Sequence, residues 1–188
     1  MGRGMGEKDL TELNFLKKRL KRKFVEMEEP MKQIEFSREN YDNLFPNNYV
    51  STPIGKIKIG EHQYEKLEAK ALQEYLGAMY QTLTDPIAII NQIDDRGKAK
   101  LFSKSFKHKP KKKDGVISVV ADIDGENVSI STHPKHIKRV VDGIKNAADL
   151  VYEKPNSGLT AGNNPKNPVI SDTTQLSNNI PQNAPKVK

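Results

Sequence analysis

The stretch Val116-Ile-Ser-Val-Val-Ala-Asp-Ile-Asp-Gly-Glu-Asn-Val-Ser-Ile-Ser-Thr-His133 decides the fold. Two runs that suit strands, Val116–Ile123 and Asn127–Thr132, flank a tight Asp124-Gly125-Glu126 turn. So short a link leaves no room for a crossover, so the pair predicts an antiparallel hairpin. Upstream, Ala99–Phe106 and Ile87–Gln92 read as two more strands, separated by Asp94-Asp95-Arg96-Gly97 and followed by the loop Lys109–Gly115. A short strand, Lys56–Ile59, is bounded by Gly55 and Gly60.

Helical periodicity frames these strands. Tyr64, Leu67, Leu72, Tyr75, Met79 and Leu83 lie near the i, i+3, i+4 pattern of one helix over Glu61–Leu83, ended by Asp85-Pro86. Ile137, Val140, Val141, Ile144, Ala148 and Val151 predict another over Pro134–Tyr152. Leu10, Leu13, Leu16, Leu20, Phe24 and Met27 predict an N-terminal helix over Asp9–Glu28, stopped by Pro30. Residues 31–53 read as irregular. The expectation is an α+β fold: a small antiparallel sheet with helices packed on one face, preceded by a basic N-terminal helix. Three regions follow: the helix in 1–30, a domain in 31–154, and a tail in 155–188. The 34 tail residues contain five prolines and no apolar periodicity, so the tail is expected to be disordered.

Composition limits the functional classes. The chain of 188 residues has 35% hydrophobic residues, no Trp and no Cys, which excludes disulfides, thiolate metal sites and cysteine nucleophiles. No apolar run approaches the ~20 residues of a membrane span, and the first twenty residues are too charged for a signal peptide. A cytoplasmic protein without membrane partners is expected. The net charge is +7, with a sequence pI near 9.4, which favours polyanions. The window Lys98–Lys113 alone holds eight lysines and no carboxylate, more excess charge than the whole chain. The run Lys17-Lys-Arg-Leu-Lys-Arg-Lys23 on the first helix reads as a solvated face before it reads as a nucleic-acid arm.

Two segments carry candidate chemistry. In Asn127–His133, alternation puts Val128 and Ile130 on the core face and Ser129, Ser131 and His133 on the other, with Thr132 near the strand end. A His beside hydroxyls suits acid–base work near neutral pH, although a solvated polar strand with His136 capping the next helix has the same sequence. In Phe102-Ser-Lys-Ser-Phe106, one face interleaves Phe102, Lys104 and Phe106, as single-stranded RNA requires, unless both rings are core and Lys104 lies at an edge. RNA breaks without metal when its 2′-OH attacks the adjacent phosphate, given a base, an acid and cations, and Lys, His, Ser and Thr supply all three. No metal-ligand spacing or glycine-rich phosphate loop is present, so neither a metal nor a cofactor is expected.

The runs Thr52-Pro-Ile-Gly-Lys-Ile-Lys-Ile-Gly60, His62-Gln-Tyr-Glu-Lys-Leu67 and Gln81-Thr-Leu-Thr-Asp-Pro86, followed by Ile89-Ile90, a Lys-bearing strand at Phe102–Lys107 and Ile130-Ser-Thr-His133, extend over about residues 36–154. In this order the chain resembles the phage-associated relatives of the barnase, EndoU, colicin and RelE nucleases. The resemblance implies a metal-independent endoribonuclease fold with its active site on an exposed sheet face, a phage or mobile-element origin, RNA as substrate, and immunity or phage proteins as partners. Carried onto this chain, it implies His133, Lys104, Ser131, Thr132, Lys66 and Thr82 as the catalytic set. His133 would be general base or acid, Ser131 or Thr132 would donate to the phosphate, and Lys104 with Lys107 would stabilise charge. Lys66 would organise the site or be a surface lysine beside core Leu67. Lys107, Lys109, Lys111, Lys112 and Lys113 would collect RNA, a contribution that salt weakens. Two other uses remain open: a non-catalytic RNA- or DNA-binding accessory module, and a degenerate nuclease domain serving protein interaction.

Overall fold

A computed structural model describes residues 7–95, 97–107 and 112–156. Residues 1–154 form one compact unit, and the tail expected to be disordered lies outside the described residues from 157 onward. The class is α+β. Among the described residues five α-helices, α1 (Glu7–Glu26), α2 (Arg38–Leu44), α3 (Gln63–Ala69), α4 (Leu76–Thr84) and α5 (Ile137–Asp142), pack against a seven-stranded sheet. Its strands are β1 (Tyr49–Thr52), β2 (Gly55–Ile59), β3 (Ala88–Asp94), β4 (Gly97–Ser105), β5 (Gly115–Ile123), β6 (Glu126–Lys135) and β7 (Leu150–Glu153), in the order β1-β2-β6-β5-β4-β3-β7. Every neighbouring pair is antiparallel except β2–β6.

The β5–β6 hairpin forms as its turn residues require. Ile123 pairs with Glu126, and Asp124 and Gly125 both have positive φ (54° and 84°), the conformation a two-residue hairpin turn needs to match strand twist. The sheet is sandwiched. Ile89, Phe102, Phe106, Val116 and Val120 face α2, α3 and α4. Ala88, Ile90, Leu101 and Ile117 face the other way, onto Leu13, Leu16, Leu20 and Phe24 of α1 and onto α5. Helices therefore lie on both faces, where the sequence suggested one, and α1 belongs to the same compact unit as the sheet.

Three segments differ from the sequence reading. The single helix over Glu61–Leu83 is broken: Ala71 takes φ 56°, Leu72 N–H donates to Leu67 C=O (2.8 Å) and Ala71 N–H to Glu68 C=O (3.2 Å). This paired C-terminal cap, with Leu67 and Leu72 both buried, ends α3 without the glycine that marks most such stops. The helix over Pro134–Tyr152 shrinks to α5, because the chain turns at Gly143 and Asn146, whose side chain accepts from Ala148 N–H, and then adds β7 to the sheet beside β3. Residues 31–53 hold α2, capped by the Ser37 side chain accepting from Asn40 N–H, and β1.

Ion pairs fasten α1 to the sheet and α5. Arg19 and Lys23 pair with Glu153 (2.7 Å each), and Lys21 with Asp142 (2.8 Å). The basic run therefore faces partly inward, although Lys18 and Arg22 remain exposed. Hydrogen bonds from Lys21 and Lys138 hold the Asp142 carboxyl down at about 2. Burial works to raise Glu153, but the bonds and charges of Arg19 and Lys23 outweigh it and the net shift is downward. A lowered folded-state value contributes stability that is complete above the ordinary carboxylate range and is lost as pH falls through the lowered value. Thermal unfolding followed by circular dichroism is expected to give a midpoint steady above about pH 5 and falling steadily below about pH 4. Glu153→Gln should flatten that fall.

Candidate nucleic-acid site

One residue in β6 arranges the site. Val119 pairs with Ser131 and Val120 with Ser129, so Ile130 is an extra residue and forms a β-bulge. The bulge shifts alternation by one. Ser129 and Thr132 turn toward the α3 side, while Ser131 and His133 share a face with Ile117 and Val119. The expectation of Ser129, Ser131 and His133 in one row over an apolar core face is corrected accordingly. Val128 and Ile130 line the open face. Ser129 donates to Gln63 Oε1 (3.4 Å), Gln63 Nε2 donates to Thr132 Oγ1 (3.4 Å), and the Thr132 and Ser118 hydroxyls lie 2.8 Å apart. Gln63 thus gives the buried Ser129 hydroxyl its acceptor and adds a donor to the Thr132–Ser118 pair.

The structure divides the expected catalytic set. Ser131 and His133 line a cavity of about 270 Å³ on the open face, with Gln92, Ala99, Ala121 and Lys135. Lys66 sits beside it: α3 covers the outer edge of β6 beyond the short β2 pairing, and Lys66 Nζ donates to the Ile130 carbonyl at the bulge (2.8 Å). Lys66 therefore fixes the backbone that carries Ser131. Thr132 and Thr82 are buried (4% and 0% exposed) and cannot meet a polymer. The Thr82 hydroxyl has no hydrogen-bond partner among the described residues.

Lys104 is the sharpest displacement. It is 0% exposed, and its Nζ contacts Asp85 C=O (2.7 Å), Asp85 Oδ2 (3.1 Å) and Glu29 Oε1 (3.1 Å). Phe102 and Phe106 flank it in the core at 0% exposure, so the aromatic–cation face is interior. Burial works to raise Asp85, but bonds from Lys154 and the charge and bond of Lys104 bring it down. Lys104 lies on the opposite sheet face from His133, since it pairs with Val116, one residue before the Ile117 that pairs with His133. Of the expected RNA-collecting residues, Lys107 and Lys112 are exposed and Lys113 half-buried at the end of the sheet near Lys135, while Lys109 and Lys111 lie outside the described residues.

Partial burial holds the His133 imidazole below its ordinary 6.5, and the charges of Lys135 and Lys70 add to the effect. A neutral imidazole is a competent proton acceptor at neutral pH. Lys70 and Lys135 went unrecognised in the sequence because both lay inside or beside expected helices, although Lys135 continues the alternation two residues beyond His133. Among the described residues no three His, Asp or Glu side chains converge as metal ligands, and no helix is long and apolar enough to cross a membrane. No family model, curated protein or solved structure matches this chain.

Two outcomes check this geometry. Titration of the His133 ring by NMR is expected to give an apparent pKa below 6.5, and a higher value would contradict the burial and cation arrangement. Lys104→Ala is expected to cost about 2–4 kcal/mol in urea unfolding, from the lost packing and the stranded carboxylates.

Proposed function

We propose that the chain is a metal-independent endoribonuclease acting at the His133 cavity. What carries the reading is a half-buried imidazole held in its neutral form on the part of the sheet that α1 and α5 leave uncovered, among lysines and, among the described residues, with no carboxylate lining the same cavity. In the proposed reaction His133 takes the proton of the 2′-OH, the 2′-oxygen–phosphorus bond forms, and the phosphorus–5′-oxygen bond breaks. The leaving oxygen receives a proton from Lys135, and Ser131 with the neighbouring ammonium groups stabilises the charge on the phosphoryl oxygens. Lys66 is a positioning residue through the Ile130 carbonyl. Lys104, Thr82 and Thr132 have no part in this version. Cytoplasmic action on cellular RNA, a phage or mobile-element origin and an immunity or phage partner protein follow from the resemblance and belong to the same proposal.

A second reading, RNA binding without cleavage, is favoured by one observation: His133 is the only imidazole lining the cavity among the described residues, so no His pair shares the acid and base roles. Incubation of the purified chain with labelled RNA in EDTA separates the two. The nuclease is expected to leave 2′,3′-cyclic phosphate ends, with His133→Ala lowering kcat/KM at least tenfold and the acidic limb of the wild-type profile falling below pH 6.5. Intact but retarded RNA would replace the nuclease by the binder, and an undiminished His133→Ala rate would remove His133 from the reaction.

A further inference from the structure

We infer that the open sheet face holds an extended single-stranded RNA across two cavities, the His133 cavity taking the phosphate and a second one reading a flanking base; this deepens the ribonuclease proposal and rests on it. The second cavity, about 560 Å³, lies between β6, β2 and the start of α3 and shares Ile130 with the first. The strand registers put both on one surface. Lys58 pairs with Val128, Val128 with Ala121, Ala121 with Ala99 and Ala99 with Gln92. Directly paired residues point to the same side of a sheet, so this row crosses five strands on one face. Lys58 and Val128 line the second cavity, and Ala121, Ala99 and Gln92 the first. At about 4.8 Å per strand the row spans roughly 19 Å. Its centre is two alanines, so the connecting floor is low.

The two linings differ in chemistry. Among the described residues the first carries Lys98, Lys135 and His133 and no carboxylate, which suits a phosphate. The second mixes Lys58, His62 and Lys66 with Glu61, Asp124 and Glu126, a set of donors and acceptors that suits the edge of a base and disfavours a bare phosphate. Glu126 is held in place, since its Oε2 accepts from the Tyr49 hydroxyl at 2.6 Å. A base reaches such a depression only when unpaired, because duplex RNA keeps its bases stacked and their edges engaged. The ligand is therefore a single strand laid across β4, β5, β6 and β2, with Ile130 between its two anchored parts.

The test uses the full chain, isotopically labelled and carrying His133→Ala to prevent turnover. It is titrated by NMR with ribonucleoside monophosphates, with single-stranded ribotetranucleotides of each base, and with a blunt RNA duplex. Tetranucleotides are expected to shift amides of Ala99 and Ala121 and also of Lys58, Gly60 and Val128, while monophosphates shift the first group alone and the duplex binds at least tenfold more weakly. Lys58→Ala with His62→Ala, both exposed positions, should weaken tetranucleotide binding at least fivefold, while Lys18→Ala on the outer face of α1 should change it less than twofold. Tetranucleotide shifts confined to the first cavity, or equal duplex affinity, would overturn the two-cavity proposal even if the wild-type chain cleaves RNA. Shifts across both cavities in a chain whose wild type leaves RNA intact would support the trough and sink the nuclease.

Discussion

The bulge at Ile130 is the constraint on which the open face depends. One extra residue in β6 lets Ser129 and Thr132 both face Gln63, while Ser131 and His133 both line the cavity on the other side. A strand without it would put residues 129, 131 and 133 together and leave Thr132 on the other side. The bulge is held from outside by Lys66 on the Ile130 carbonyl and from inside by the Gln63 amide. Both come from α3, a helix of seven residues ended by the cap at Ala71. The shortness of α3 follows from that cap, so a backbone turn at Ala71 and the side chains of His133's strand belong to one arrangement.

The same sheet resolves a charge problem. A strongly basic chain must keep its cations from repelling each other and must leave some free for ligands. Here α1 spends Arg19, Lys21 and Lys23 on Glu153 and Asp142, and the core spends Lys104 on Asp85 and Glu29. A buried pair of this kind adds little net stability, since desolvation offsets most of its attraction, but it specifies geometry, because removing one partner leaves the other stranded. Glu29 also accepts from Gln81, and its backbone carbonyl accepts from Lys107 N–H. This ties the segment after α1 to α4 and the end of β4, and so fixes where α1 ends. Four of the lysines left exposed, Lys58, Lys66, Lys70 and Lys98, lie along or beside the two cavities.

Much of the architecture was legible in the chain before any coordinates. The β5–β6 hairpin followed from Asp124-Gly125, the strands from β-branched runs, and α1 from its apolar spacing up to Pro30. The misreadings share one cause. The apolar residues after Gly143, Val151 of β7 among them, continue the helical period of α5 by coincidence, and Ala71 carries no sign that it will adopt a left-handed conformation. Of the residues expected at the site, Ser131 and His133 line one cavity with Lys66 beside it, whereas Lys104 and Thr132 are buried.

What the sequence determined by itself is the α+β class, the hairpin, the basic character and the presence of a histidine at the end of a hydroxyl-bearing strand, because turn chemistry, periodicity and charge are local properties. What only the tertiary structure decided is which side of that strand meets a helix. Alternation distinguishes two faces but does not say which will be covered, and a single bulge, invisible in composition, exchanges them midway. Gln63, more than sixty residues upstream, makes the polar choice stable inside, and Asp85 and Glu29 do the same for Lys104. Long-range partners of this kind are supplied by the fold, and they turned an aromatic–lysine strand into core and left His133 at the surface.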